Sequence, residues 1–327
     1  MIPVMHLDAD VRGILESLPD LAGYGAAAPM LPAACYTSPE FFEFERRHVF
    51  TRSWICVGRQ EQIPAPGDYL TPKIADEPLL VVRREEGSIG AMSAVCQHRG
   101  QVIATEPGSA GRAFRCPLHF WRYDLEGSLV AATRIDDDAI HDCLRDTVRL
   151  PVVRLENWHG FLFVTLDEDA APLGPGLAKL EPFWEGYEDA DLVAVPPTMS
   201  DTPLPWNWKI HAENFTDAYH PEFVHVGTHD FAPSIHPDGG VEITPMTAGD
   251  NAIVRTVPLL RPDGGMMEDG WGPEAEFPAI ETLSAEQRSH VTFAMIPPGM
   301  TIIFAPGAVS YQLIGAIGVE ATLASND

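Results

Sequence analysis

Two short stretches of the chain place together residue types that bind transition metals. Cys96-Gln97-His98-Arg99-Gly100 offers a thiol and an imidazole two residues apart, and after a 17-residue gap Cys116-Pro117-Leu118-His119 offers a second such pair. Two thiolates and two imidazoles can hold one tetrahedral zinc ion, or a two-iron cluster with both sulfurs on one iron and both nitrogens on the other. In the cluster each loop gives one Cys and one His, and replacing two anionic sulfurs by neutral nitrogens lowers the negative charge and raises the potential. The plainer alternatives are a zinc ribbon, or buried cysteines and stray histidines with no metal at all.

A second constellation lies in Trp206-Asn207-Trp208-Lys209-Ile210-His211-Ala212-Glu213-Asn214-Phe215-Thr216-Asp217-Ala218-Tyr219-His220-Pro221-Glu222-Phe223-Val224-His225, which is polar where a simple core helix is apolar. A helix over Trp208 to Tyr219 puts Asp217 and His220, three apart, on one face. Pro221 then breaks or kinks the backbone, so that His225 swings back toward His220 despite its poor helical spacing. Two histidines so held leave metal positions open, as iron needs when O₂ and substrate meet opposite two His and one carboxylate. His229 competes as a ligand, being i, i+4 from His225, although Gly227 lowers helix propensity between them. His211 is expected to serve packing or hydrogen bonding. The bland reading of the whole stretch is a hydrogen-bonded His/Asp surface patch.

The elements that must position these residues change type along the chain. An opening helix runs to about Leu18, and a Gly/Ala/Pro-rich loop follows through Pro32. A second helix runs from Ser38, with Pro39 at its first position and Glu40 in its first turn, to about Phe50. Short strands come next, over Tyr69 to Ile74, Pro78 to Arg83, Ile89 to Val95, Ala113 to Cys116, Val152 to Glu156 and Phe161 to Thr165. They are punctuated by turns such as Glu126-Gly127 and indicate an antiparallel β domain that contains all four Cys/His donors. After a Pro/Gly-rich linker at Ala171 to Gly176, helices at Leu177 to Tyr187 and Trp208 to Tyr219 precede strands at Val241 to Thr244, Ala252 to Val257, Val291 to Ile296, Thr301 to Phe304 and Ser310 to Ile314. This second part reads as α+β, with helices packed on an antiparallel sheet.

Composition excludes several roles. The 327 residues carry a formal charge of −26 with only Lys73, Lys179 and Lys209 as lysines, so nucleic acid and anionic membrane surfaces are repelled. No run approaches the ~20 apolar residues of a membrane span, and the first thirty residues read as no signal peptide. Five cysteines in a chain of this length do not form the dense disulfide framework of a small secreted domain, which fits a reducing cytoplasm.

The run C-x-H followed by C-x-x-H, flanked by Arg99-Gly100 and by Trp121-Arg122-Tyr123-Asp124-Leu125-Glu126-Gly127, resembles the Rieske domain of the ring-hydroxylating oxygenase alpha-subunit family, the Rieske non-haem iron oxygenases. Glu-Asn-x-x-Asp-x-Tyr-His-x-x-x-x-His is similar to that family's iron motif, and the likeness extends from about Phe41 onward. It implies an N-terminal helical segment (1–50) packing on the catalytic domain, a Rieske domain (51–167), and a helix-grip, START-like catalytic domain (168–327) that is C-terminally short. It implies a [2Fe-2S] cluster on Cys96, His98, Cys116 and His119, and Fe(II) on His220 and His225. Asp217 becomes the bridge that hydrogen-bonds His220 and reaches a Rieske histidine, His119, of the neighbouring subunit, with Asn214 a further active-site residue.

In the family the third iron ligand is a carboxylate far downstream, and none is assigned in this chain. Truncation explains that, or else Glu222, Asp230, Glu320 or water takes the place; Asp327 is terminal. Respiratory-type Rieske proteins add a disulfide between the loops, and its absence points to the lower-potential type. Phe120 departs from the family's usual Gly and is strained if that site needs positive φ.

The implied partners are an NAD(P)H-dependent reductase, directly or through a ferredoxin, O₂, a small organic substrate (aromatic or quaternary amine), and two further copies in a homotrimer. The implied outcome is hydroxylation, dihydroxylation or demethylation. The alternative is a Rieske electron-transfer protein whose iron site is incomplete and inactive. Trp206, Trp208 and Trp271 suggest a cation-binding aromatic cage, but packing is the expected role of each. The purified protein is expected to be brown, with about two irons and two acid-labile sulfides per chain in the Rieske domain; a colourless, zinc-containing preparation contradicts this.

Overall fold

The computed structural model describes all residues except 1–8, 20–28, 136, 189, 191, 196–197, 200–201, 218, 226–241, 245–249, 260–264, 268–269, 273–278 and 327. The chain forms two compact units, one of residues 46–171 and one of residues 1–45 together with 172–327. Both are built on antiparallel sheets, as the sequence pattern requires of an α+β protein. No described helix is long and apolar enough to cross a membrane.

The 46–171 unit contains β1 (Ile55–Arg59), β2 (Asp68–Leu70), β3 (Lys73–Ile74), β4 (Glu77–Arg83), β5 (Ile89–Ser93), β6 (Gly108–Ser109), β7 (Phe114–Arg115), β8 (Arg122–Tyr123), β9 (Leu129–Ala131), β10 (Val152–Trp158) and β11 (Phe161–Thr165). Its main sheet runs β1-β11-β10-β5-β4-β2-β6, with β3 on β4, and a small sheet runs β7-β8-β9. The expected strand Tyr69 to Ile74 is two strands, parted at Thr71-Pro72, because proline gives the ladder no donor.

Leu79-Leu80-Val81-Val82 in β4 are all buried, a continuous apolar run of the kind a strand shows when both faces are covered. Leu79 and Val81 join Ile63, Leu162 and Val164 on one side. Leu80 and Val82 join Met92, Phe114, Trp121, Tyr123 and Leu129 on the other, and Cys96 and Cys116 belong to that second cluster. The two cysteines are thus positioned by the same apolar packing that folds the unit.

In the other unit the N-terminal part holds α1 (Ala9–Glu16), α2 (Ala34–Thr37) and α3 (Pro39–Glu45). The helix expected to reach Phe50 gives way at Arg46 to a wider π turn, Arg46–Phe50. Ser38 does cap it, its hydroxyl accepting from Phe41 N at 3.1 Å. Past 171 the expected linker and long helix resolve into a helix, Leu173–Leu177, a 3-10 turn, Ala178–Leu180, and a second helix, Glu181–Trp184. The burial of Leu173 and Leu177 explains why a Gly/Pro-rich stretch is drawn into helix. The sheet here is seven-stranded. Its central order runs through Ile253–Pro258, His290–Ile296, Met300–Ala305, Ala308–Gly318 and Ala321–Asn326, flanked by Thr198–Met199 and Glu242–Thr244. Phe304 on one face packs against Phe183, Trp184 and Tyr187.

The helix Trp208–Thr216 lies on the opposite face, with Phe215 against Phe293 at 6.0 Å and His211 Nε2 3.2 Å from Gln312 Oε1. Its first turn is tied to the N-terminal helices. Lys209 Nζ donates to both oxygens of Glu45 at 2.7 and 2.8 Å, Trp208 Nε1 donates to the same carboxylate at 3.2 Å, and Tyr36 Oη donates to Glu213 at 2.6 Å. The rings of Tyr36, Phe41 and Trp208 stand 5.5, 5.8 and 5.1 Å from the ammonium. Trp208 thus packs around an internal cation, and its indole donor is used.

Burial holds the Glu45 carboxyl above the usual carboxylate range even though Lys209 and Trp208 pull it down. Lys209→Met removes the counter-charge and leaves Glu45 to ionise alone, so it is expected to cost about 3–5 kcal/mol at neutral pH. A raised folded-state pKa favours the protonated form, so the deficit shrinks as pH falls toward and below that raised value. Urea unfolding at pH 5 and pH 8 checks this, and an equal deficit at both contradicts it.

Candidate metal sites

The two Cys/His loops are built alike. In the first, Cys96 N donates to Gln101 O at 2.9 Å and Gly100 N to Cys96 O at 3.0 Å. In the second, Cys116 N donates to Trp121 O at 2.9 Å and Phe120 N to Cys116 O at 3.0 Å. Each is a six-residue turn whose fifth residue has positive φ, 71° at Gly100 and 58° at Phe120. The expectation of strain at Phe120 is therefore met, since a side chain in this region costs about 1–2 kcal/mol. Its ring is half exposed and lies under Arg115 at 5.1 Å.

These turns sort the donors by depth. Cys96 and Cys116 are each 2% exposed, whereas His98 and His119 stand in solvent with ring centroids 4.6 Å apart. Trp121 stacks flat on His98 at 4.5 Å and 11°. Tyr123 Oη sits 3.3 Å from Cys96 Sγ and accepts from Gln97 N at 3.2 Å. Burial raises the Cys116 thiol, and the neighbouring Cys96 raises it further; the Tyr123 phenol rises for the same two reasons. Desolvation, His119 and Arg99 hold His98 below the usual imidazole range, toward the neutral form that binds metal.

All five cysteines are free thiols. Among the described residues no three His, Cys, Asp or Glu side chains converge to hold a single ion. Two buried sulfurs behind two exposed imidazoles make a two-by-two set, which fits a two-iron cluster with one pair per iron better than four donors around one zinc.

The second constellation is assembled differently from the sequence expectation. The helix ends at Thr216, not Tyr219, and Asp217 follows it in extended conformation at φ −68°, ψ 118°. Asp217 and His220 therefore share no helix face. They meet because Asp217 closes a turn: Oδ1 accepts from Tyr219 N at 2.7 Å, and Oδ2 accepts from His220 N at 3.3 Å and faces His220 Nδ1 at 3.2 Å. An aspartate competes with helical bonding by capturing amides two and three residues on.

Pro221 starts a new one-turn helix, Pro221–Val224, with His220 and His225 as its flanking residues. That turn brings the two imidazoles to 5.2 Å between centroids and explains why a five-residue spacing serves. Asn214 is exposed on the last turn of the preceding helix, and Glu320 is exposed between the last two strands. His229, Asp230 and Asp327 lie outside the described residues.

Arg255 was not anticipated. It is 6% exposed on Ile253–Pro258, and its guanidinium lies over Phe293 at 4.4 Å. Burial lowers its pKa and the charge of Asp217 raises it, so it stands within electrostatic reach of the turn. A lone arginine inside the apolar stretch Ala252 to Val257 was the available signal. For Tyr123 and Trp121 the signal was alternation along Trp121-Arg122-Tyr123, which turns both rings inward.

Comparisons with known proteins bear on the family of the chain. Residues 53–144 match the Rieske [2Fe-2S] domain, and residues 175–314 match the ring hydroxylating alpha subunit catalytic domain. The carnitine monooxygenase oxygenase subunit of Acinetobacter baumannii is 32% identical over 229 residues, 68% of this chain and 59% of that protein. Benzene 1,2-dioxygenase subunit alpha of Pseudomonas putida is 33% identical over 190 residues, 57% of this chain and 42% of that protein. The chain thus spans less than two thirds of the length of either relative. A crystal structure of a quaternary ammonium Rieske monooxygenase superposes with a TM-score of 0.71 at 24% identity, covering 90% of this chain and 74% of that one.

Phe120→Gly is expected to stabilise the 46–171 unit by about 1 kcal/mol, since glycine takes positive φ without the side-chain penalty. Thermal unfolding followed in the near-ultraviolet checks this, and a lowered midpoint contradicts it.

Proposed function

Because the chain belongs to the Rieske non-haem iron oxygenase alpha-subunit family, we propose that it is the oxygenase component of a multicomponent Rieske oxygenase. The observation that carries this reading is the two-by-two set of Cys96 and Cys116 behind His98 and His119, present in one chain with the Asp217-clasped His220 and its neighbour His225. When bound, a [2Fe-2S] cluster on the first set supplies single electrons, and Fe(II) on His220 and His225 supplies the activation of O₂.

The chain's own residues prepare both sites. Asp217 accepts a hydrogen bond from His220 Nδ1 in the tautomer that frees Nε2 for metal, and the same contact fixes the ring. His225 is set beside it by the one-turn helix. Tyr123 fixes Cys96 and the start of its loop, and Trp121 restrains His98. In this reading Asp217, 45% exposed in its side chain, also reaches His119 of a neighbouring subunit in a homotrimer, and Asn214 serves the same site.

Electrons come from an NAD(P)H-dependent reductase, directly or through a ferredoxin. The substrate is a small organic molecule, aromatic or quaternary amine, as the names of the relatives suggest. Five free thiols suit a reducing cytoplasm. A second reading, an electron-transfer protein with an inactive iron site, is favoured by one observation: among the described residues no third ligand joins the two histidines. Substrate-dependent O₂ uptake separates the two.

Asp217→Asn is expected to keep the visible spectrum of the cluster and to lower turnover by about 10- to 100-fold, the usual cost of losing a partner that orients a metal-bound imidazole. Full turnover in this variant ends the bridging role.

A further inference from the structure

Among the described residues one lysine and one arginine are buried, Lys209 and Arg255. Both belong to the unit of residues 1–45 and 172–327, which holds six lysines and arginines against 29 acidic residues. Lys209 has its counter-charge in Glu45, where the helix Trp208–Thr216 begins. Arg255 lies toward the other end of that helix, as the register of the sheet requires.

Arg255 is paired across the ladder with Phe293, Phe293 with Ile303, and Ile303 with Ser310. Directly paired residues share a face, and so do residues two apart on one strand, which puts Arg255 on the face that carries Gln312. The helix lies on this face, and two contacts give its course. His211 meets Gln312 on Ala308–Gly318, and four residues later Phe215 meets Phe293 on His290–Ile296. Ile253–Pro258 is the next strand in the sheet order, so the helix runs toward the strand of Arg255. Asp217, two residues past Phe215, then opens the turn that brings His220 and His225 together, and its charge acts on Arg255.

We propose that Arg255 binds the carboxylate of the substrate, so that the site takes a small organic acid whose remaining part extends toward His220 and His225. The proposal rests on the oxygenase reading given above. Phe293 takes the face of the guanidinium at 4.4 Å. A contact through the face uses none of the N–H donors, which lie in the plane as a fork that matches a carboxylate. Asp217 has its own oxygens on Tyr219 N, His220 N and His220 Nδ1. Phe215, Phe293 and Val257 add apolar surface around the cation, and a few placed polar groups in apolar walls are what a small-molecule site needs. A chain of net charge −26 repels organic anions at long range, and a desolvated cation at the site supplies the local attraction.

Isothermal titration calorimetry of the oxidised holoprotein under argon, at fixed pH and ionic strength, tests this without turnover. The probes are matched acids and primary amides: benzoate and benzamide, phenylacetate and phenylacetamide, butanoate and butanamide. At least one acid is expected to bind at least about tenfold more tightly than its amide. Arg255→Gln is expected to weaken that acid about 30-fold or more and to leave the amide within about threefold. Should that variant unfold, Arg255→Lys carries the comparison: it keeps the charge and loses the fork, and is expected to weaken the acid about tenfold with the amide unchanged.

A coloured protein that prefers no acid to its amide overturns the proposal alone. So does a preference that survives the substitutions, which assigns the carboxylate to the iron, and so does an equal loss for acid and amide, which assigns Arg255 to the scaffold. A preparation without the cluster spectrum overturns the oxygenase reading as well.

Discussion

The apolar cluster around Leu80, Val82, Tyr123 and Leu129 also contains Cys96 and Cys116, so the sulfur donors cannot move unless the 46–171 unit unpacks. Burying a thiol disfavours its ionised form, and here the neighbouring Cys96 raises the buried Cys116 thiol further. A cationic cluster that takes them as thiolates returns that cost and, by binding the folded form, stabilises it. The imidazoles stand at the surface and bind metal in their neutral form. The depth difference between sulfur and nitrogen donors follows from two equivalent turns, each held by a pair of backbone hydrogen bonds and closed by a residue at positive φ.

The second unit solves a different problem with similar economy. A sheet of seven strands carries the helix Trp208–Thr216 on one face, and the buried Lys209–Glu45 pair binds the start of that helix to the N-terminal helices. Its far end is then free to stop at Asp217, whose carboxylate holds the amides of Tyr219 and His220 and points the His220 ring. The chain is anchored where the helix begins and turns sharply where the histidines are presented. Arg255, itself buried, feels the charge of Asp217.

Much of this was legible in the residues alone. The Cys/His spacing, the antiparallel strands around it and the apolar run of β4 are local patterns, and local patterns survive folding. Ser38 as a cap was likewise visible, because it depends on one residue's own chemistry, whereas positive φ at Phe120 was expected only conditionally, from the family's usual Gly at that position. The failures have physical causes too. Helix propensity continues through Ala218 and Tyr219, but the Asp217 side chain captured the amides that the helix needed. The stretch Leu173–Leu177 has linker composition yet is helical because two leucines are buried. Arg255 and the Lys209–Glu45 pair depend on residues far apart in sequence, which no window of neighbours contains.

Everything in the functional reading depends on a two-iron cluster held by two sulfurs and two imidazoles at the end of the 46–171 unit. Electron paramagnetic resonance of the dithionite-reduced protein tests this most directly, because mixed sulfur and nitrogen ligation makes the two irons inequivalent. The rhombic signal of a reduced Rieske centre, lost when His98 or His119 is replaced by alanine, is the predicted result. A silent spectrum, or a signal indifferent to both histidines, contradicts it.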